Sequence, residues 1–376
     1  MADAATRVFG VRVRGGLVVG VQGAWSVSSL DCMRGGHPVP NAESERAGRL
    51  ALELARAARP DDLVLFLFSG GASALMAVPA DGLTLEDKQR TTERLLRSGA
   101  DIYTLNTVRK HLSAIKGGQL GVATSNSRTL AISDVPGEDL SVIASGPTVA
   151  DASTFQDAVE AIRRSGGMEA FPERVVSHLT RGAAGTLPET PKPNDGRLAF
   201  GMAAVVGSRH DAMQGAADAA SARGYDVIRM EAAVVGEARA AAHAYLDDVT
   251  ERLAARGGAA RPTCVVSSGE TTVRVTGCGR GGRNQEFALA LVDRMGSLDS
   301  LVVLGSLGTD GVDGPTDAAG AIVDSSSAAR ARQSGLDPAG FLDDNNAHAF
   351  FAAMRDLINT GPTGTNVGDL QVMLLE

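Results

Sequence analysis

Four glycine-punctuated segments concentrate the residues whose types and spacing could do chemistry. The first, Ser69-Gly70-Gly71-Ala72-Ser73-Ala74, follows an apolar run at 63–68 and opens a helical pattern. Glycines let backbone approach an anion closely, and the free N–H groups of a first helical turn point at it; a plain tight turn gives the same pattern. The segment matches neither a Walker A motif nor a G-x-G-x-x-G fingerprint, so a Rossmann-bound nicotinamide cofactor is not supported. The second segment runs from Asn106 to Gly118. Leu105, Val108, Leu112 and Ile115 recur at helical spacing as an apolar face, while Asn106, Arg109, Ser113 and Lys116 form a polar stripe. Arg109, Lys110, His111 and Lys116 repel one another unless an anion or carboxylate compensates. A solvated basic face closed by glycine is the alternative.

The third segment pairs Ser268-Gly269-Glu270 with Gly279-Arg280-Gly281-Gly282-Arg283-Asn284-Gln285-Glu286, which runs into an apolar helix at 287–292. Two arginines at a helix N-terminus stand against the dipole. Planar guanidinium groups suit carboxylate and phosphate bidentately, which points to a ligand. In the fourth, Asp310, Asp313 and Asp317 fall within Gly308-Thr309-Asp310-Gly311-Val312-Asp313-Gly314-Pro315-Thr316-Asp317. One or two of these carboxylates suit a hard cation, although the spacing is not that of an EF-hand and Asp-Gly turns are common. Taken together, the segments predict an anionic ligand and a divalent cation, the requirements of phosphoryl transfer.

The elements that must position these segments alternate. Strand-length apolar runs at 63–68, 128–133, 198–206, 225–231, 263–267, 301–305 and 321–323 are interleaved with amphipathic helical patterns at 41–58, 84–98, 153–165, 207–223 and 236–256. Residues 271–276 alternate as a half-exposed strand should. Such alternation predicts an α/β protein with a largely parallel sheet, in which ligands bind beyond the carboxyl ends of strands. The proline- and glycine-rich stretch 182–196 predicts a linker, with a second linker-like patch at 257–262. Two domains follow, 1–190 and 197–376.

Composition narrows the class. The chain has 376 residues, 44% hydrophobic and 21% charged, the balance of a folded globular protein. Its longest apolar runs are strand-length, which predicts no membrane span. Three cysteines show no metal-ligand spacing and cannot make a disulfide framework, so a reducing cytoplasm is expected. A net charge of −8 without a basic tail, and 4% aromatic residues, argue against nucleic acid. Among 36 basic residues only Lys88, Lys110, Lys116 and Lys192 are lysines.

At these same segments the sequence resembles the class II glycerate 2-kinases, whose C-terminal part is the MOFRL domain. The resemblance rests on Gly36-His37-Pro38-Val39-Pro40, Ser69 through Leu75, Asn106 through Gly118 and Ile132-Ser133-Asp134-Val135-Pro136-Gly137. It continues through Ala144-Ser145-Gly146-Pro147-Thr148, Ser268 through Val273, Gly279 through Glu286, Thr309 through Gly314, and Gly361 through Val367. These words cover nearly the whole chain, in order. The resemblance implies two α/β domains, the first Rossmann-like with a mostly parallel sheet, the second a mixed sheet with the MOFRL region at about 263–376. It implies ATP-dependent phosphorylation of D-glycerate at its 2-hydroxyl, with Mg²⁺. Family members also carry the name hydroxypyruvate reductase, a rival activity.

The resemblance and the segments together assign expected roles. Phosphates of ATP are expected near Ser69, Gly70, Gly71, Ser73, Lys116 and Gly117, with Lys110, Arg280 and Arg283 as catalytic residues. Arg280 or Arg283 is expected to pair with the acceptor's carboxylate, helped by Asn106, Arg109, Glu270 and Asn284. Asp134, Asp310 or Asp313 is expected to hold Mg²⁺. One departure bears on activity. The family begins with a β–α unit whose Gly-Lys-Ala turn carries a lysine for the transferred phosphate. Here Met1-Ala2-Asp3-Ala4-Ala5 resembles the interior of the helix after that turn, and no lysine precedes Lys88. The expectation is a chain that starts late in the first domain; a ligand-binding remnant without turnover is a further alternative, and a homodimer a compatible assembly.

Overall fold

The computed structural model describes residues 1–21, 26–27, 29–135, 137–256, 261–298 and 301–376. The chain forms two compact units, one of residues 1–131 and 138–206, the other of 132–137 and 207–376. It therefore crosses between units three times, and none of the crossings lies in 182–196. That stretch sits inside the first unit, with Thr190 buried against Asp151, because its polar residues find partners there. The second expected linker, 257–262, falls largely outside the described residues.

The first unit contains strands β1 (Leu17–Gly20), β2 (Asp31–Arg34), β3 (Val64–Phe68), β4 (Ser127–Ile132) and β5 (Gly201–Gly207), the last two ending across the unit boundary. β1 pairs with β2 in parallel, β3 with β4 in parallel, and β3, β4 and β5 form one sheet in that order. Helices begin where the sequence supplies caps. Asn41 and Ser44 exchange side-chain and backbone hydrogen bonds to open Ala42–Ala57; Thr84 with Asp87, and Thr154 with Asp157, do the same for Leu85–Arg97 and Phe155–Arg164. Leu95, Leu105, Val108, Leu112, Phe155, Ile162 and Leu179 pack into a helical core. Burial of this kind, at about 25 cal/mol per Å² of apolar area, is what fixes the helix Ile102–His111.

The second unit adds β6 (Asp226–Arg229), β7 (Val234–Glu237), β8 (Thr263–Thr272), β9 (Val302–Gly308), β10 (Gly320–Asp324), β11 (Leu357–Ile358) and β12 (Asp369–Leu375). Its sheet runs β11-β10-β9-β12-β8-β6, with β7 also on β8. β6 and β7 lie parallel to β8, whereas β12 is antiparallel to both β8 and β9. The sheet is mixed, as the family resemblance implies, rather than largely parallel as the alternation alone predicts. Successive β8 residues face opposite sides: Cys264 and Val266 meet Met213, and Val265 joins a larger cluster with Phe287, Leu304 and Met373. The segment Ser268-Gly269-Glu270 is not a turn. β8 runs straight through it, with Gly269 paired to both Val234 and Asp369. The three cysteines are free thiols. Among the described residues no helix is long and apolar enough to cross a membrane.

Candidate functional site

The first unit holds a cavity of about 240 Å³ lined by His37, Gly71, Ser73, Lys88, Arg109 and Lys116 among others, and among the described residues no carboxylate contributes to its wall. Its position follows from local structure. β3 ends at Phe68, and Gly71 turns the chain with φ +81 into the short helix Ala72–Leu75. A side chain on Gly71 would meet the His37 ring at 3.0 Å, so glycine serves both the turn and the close approach. The helix Ile102–His111 brings Arg109 in, and the helix Leu85–Arg97 brings Lys88. The sequence stripe does not continue as helix to Lys116: the helix stops at His111, and Lys116 reaches the cavity from the following turns.

The three cations differ in their partners. Lys116 Nζ donates to Ser73 O at 2.9 Å, Ser73 Oγ at 2.9 Å and Ala144 O at 3.3 Å. Ser73 Oγ lies 2.9 Å from Ser145 Oγ, which donates to Asn106 Oδ1 at 2.8 Å. Ala144 and Ser145 have φ of 54 and 63, left-handed values that cost non-glycine residues about 1–3 kcal/mol each. Lys116 and this hydroxyl chain hold that strained turn against Ser73. Lys88 donates to Leu112 O at 2.8 Å. The Arg109 guanidinium donates to no group among the described residues. Burial, and then the Arg109 charge, bring Lys88 down to about 7. Burial, then Lys88 and Arg109, push Lys116 well below the ordinary lysine range, and burial lowers Arg109. Taken singly, each charge is costly; together they demand an anion.

Other expected residues of this unit lie elsewhere. Lys110 points away from the cavity into a buried ion pair with Asp151 at 3.2 Å, because a helical neighbour of Arg109 faces about 100° away. Gly117 lies against Lys110 and Asp151 rather than against the cavity. Ser69 is exposed and Gly70 half-buried, and neither lines the wall. The helix after Gly71 has only four residues, so it offers little of the N-terminal field that the glycine turn suggested.

In the second unit the expected arginines are differently placed. Arg283 makes a two-point contact with Asp369, Nε to Oδ2 at 2.7 Å and Nη2 to Oδ1 at 2.9 Å, and a third bond to Glu270 at 3.0 Å. Burial would lower Arg283, but Asp369 and then Glu270 raise it above its ordinary value. Asp313 caps the helix Arg283–Ala290, accepting from the backbone N–H of Asn284 at 3.0 Å and of Gln285 at 2.8 Å. Gly282 is required there, since a Cβ would collide with the Asp313 carboxyl. The dipole conflict seen in the sequence is thus resolved by protein carboxylates rather than by a ligand. Burial pushes Asp313 up to about 6, against the N–H groups of Asn284 and Gln285. Burial also raises Glu270, against the attraction of Arg283. Asn284 donates to Asp369 at 2.9 Å and accepts from Ser306 at 2.7 Å. Arg280 is exposed, 3.9 Å from Asp317.

The metal expectation narrows accordingly. Asp313 is committed to the helix cap. Asp134 accepts from Asn366 at 3.3 Å, and Asp310 accepts from Val312 N–H at 3.0 Å. Among the described residues no three acidic, histidine or cysteine groups are clustered to hold a metal by themselves. Sequence reasoning missed His37, Ser145, Asp151 and Asp369 as site or support residues, and Lys88 carried only its scarcity as a signal.

Comparison with known proteins agrees with the geometry. Residues 1–180 match the DUF4147 family model, a domain of unknown function, and residues 263–369 match the MOFRL family. The chain is 38% identical over 379 residues to a D-glycerate 2-kinase of Thermotoga maritima, covering 100% of this chain and 88% of that protein. A putative hydroxypyruvate reductase of Agrobacterium vitis is 40% identical over 351 residues, covering 92% and 77%. The crystal structure of a Thermotoga maritima glycerate kinase superposes with a TM-score of 0.89 at 37% identity, over 100% of this chain and 88% of that one. A likeness of this extent in both sequence and structure places the chain in the class II glycerate 2-kinase family.

Proposed function

We propose that this protein is an ATP-dependent D-glycerate 2-kinase, a phosphotransferase with an alcohol acceptor, and that the acceptor's carboxylate seats in the first unit's cavity. The observation that carries the placement is Arg109, a guanidinium that among the described residues has no hydrogen-bond partner and stands beside two buried lysines and no carboxylate. A three-carbon hydroxy acid fits within this cavity of about 240 Å³. Arg109 would take the carboxylate bidentately. Lys88 would add charge, and Lys116 would act by holding Ser73 in place. With the carboxylate fixed, the 2-hydroxyl oxygen attacks the terminal phosphorus of ATP, the bond to the ADP oxygen breaks, and the hydroxyl proton departs. The first unit's task is alignment and charge neutralisation. Ser69, Gly70 and Gly71, at the edge of the cavity, are where we place the transferring phosphoryl group. Mg²⁺, which would screen the phosphates when bound with ATP, needs only one or two protein carboxylates; Asp134 and Asp310 are the candidates, Asp313 being committed to its helix cap.

An assay coupling ADP release to D-glycerate, ATP and Mg²⁺, with 2-phosphoglycerate resolved from 3-phosphoglycerate, tests the reading. The expected product is 2-phosphoglycerate. Binding of D-glycerate without ADP release would make the chain a binding protein instead. The reductase reading is favoured by the Agrobacterium vitis likeness and opposed by the lack of a dinucleotide fingerprint. Oxidation of NADH by hydroxypyruvate would establish it.

A further inference from the structure

Three cations share one cavity, but they are not equivalent. Lys116 has three acceptors around its Nζ, the full complement of an ammonium group. Arg109 is charged at every working pH. Lys88 is only 6% exposed and among the described residues has a single acceptor, the Leu112 carbonyl, which a neutral amine satisfies as well as an ammonium. We propose that Lys88 is a proton-linked anion anchor: an anion entering the first unit's cavity brings with it one proton, taken from solvent onto the Lys88 amine.

The electrostatics around Lys88 support this. Arg109, from the helix Ile102–His111, opposes its charge across the cavity, and Lys88 in turn opposes the charge of Lys116. His37 stands in the same wall, and His178, from the helix Glu173–Ala183, is near enough to feel its charge. Glu45, from the helix Ala42–Ala57, favours the charged form and is outweighed. Its neighbour Asp87 is committed to capping at Thr84. The empty cavity therefore holds Lys88 near 7, so much of it is neutral at physiological pH. An anion on Arg109 supplies the missing countercharge and draws Lys88 back toward the ordinary lysine range. No bond to the ligand forms; the proton comes from water or buffer and returns when the anion leaves.

The pH dependence has a definite sign. Below about pH 7 Lys88 is already charged, and anion affinity is flat; above it, affinity falls about tenfold per unit until the loaded group itself titrates. A general base for the hydroxyl would give the opposite slope. The inference needs only an anion in the cavity; its identity as the acceptor's carboxylate rests on the proposed kinase activity.

Calorimetric titration of the full chain with sodium sulfate, and separately with D-glycerate, is the test. Neither ligand changes charge between pH 6.5 and 8.5. Paired buffers of different ionisation heat count the protons. In the wild type we expect binding about tenfold weaker at pH 8.5 than at 7.5, with close to one proton taken up. Lys88→Met should bind more weakly, without proton uptake or pH dependence. Lys88→Arg, permanently charged, should bind with no uptake and a flat profile. Wild-type binding without proton uptake, or uptake persisting in Lys88→Met, overturns the proposal, as does failure of both ligands to bind. The wild-type and Lys88→Arg measurements decide alone if Lys88→Met does not fold. Sulfate binding with uptake but no D-glycerate binding would uphold the anchor and refute the kinase reading.

Discussion

Arg109 and Arg283 both come from sequence segments that look built for an anionic ligand, yet they sit in opposite circumstances. Arg283 is matched by carboxylates: Asp369 takes two of its donors and Glu270 a third. The Arg109 guanidinium has none among the described residues, and the lysines that share its cavity are Lys88 and Lys116. A guanidinium already matched to a buried carboxylate is structure, and a guanidinium left unmatched beside two lysines is a site. Position at a glycine-rich turn does not separate the two cases. The partner does.

The sharpest way to break this comparison is to remove each arginine. Arg283→Met leaves Asp369, 1% exposed, without its countercharge, which should cost about 3–5 kcal/mol in denaturant unfolding. Adding Asp369→Asn to that variant should restore much of the loss, and a loss that persists would remove the ion pair from the account. Arg109→Met should do the reverse. It should leave stability within about 1 kcal/mol and lower kcat/KM for D-glycerate at least about a hundredfold. Arg109→Lys should rescue little, since an ammonium cannot reproduce the two-point contact.

Smaller effects refine the contrast. Lys88 is near 7 in the folded chain against an ordinary value of 10.5, so between those limits the unfolded chain binds more protons. Stability of the empty protein from this group therefore rises with pH from about 7 to about 10.5. Lys88→Met should abolish that slope and stabilise the empty protein at pH 7.5 by about 1 kcal/mol or more, visible as a higher Tm. A lower Tm would make Lys88 a structural group. Ser145→Ala removes the hydroxyl between Ser73 and Asn106, and should cost about 1 kcal/mol and raise the D-glycerate KM modestly. No change in either would show that the strained turn holds without it.

Much of the architecture was legible, for physical reasons. Capping residues with amphipathic spacing located Ala42–Ala57, Leu85–Arg97 and Phe155–Arg164 to within two residues, because both signals are local. β12 escaped notice although it lies at the middle of the second sheet, since its antiparallel partners β8 and β9 are far away in sequence. Ser268-Gly269-Glu270 read as a turn because glycine breaks most strands; pairing on both sides overrides that preference. The basic cluster at 109–116 was legible as an anion site, but not which cation serves it. Lys110 is withdrawn by Asp151, forty-one residues on in the chain. Asp313 was legible as a candidate cation ligand, and only the folded chain shows that it is spent on two backbone N–H groups.

The central claim is that the acceptor's carboxylate binds at Arg109 in the first unit. Calorimetric titration of D-glycerate into the wild-type chain and into Arg109→Met, without nucleotide, tests it most directly. Binding to the wild type that disappears in a variant of unchanged Tm is the predicted result, and equal affinity in the two proteins would contradict it.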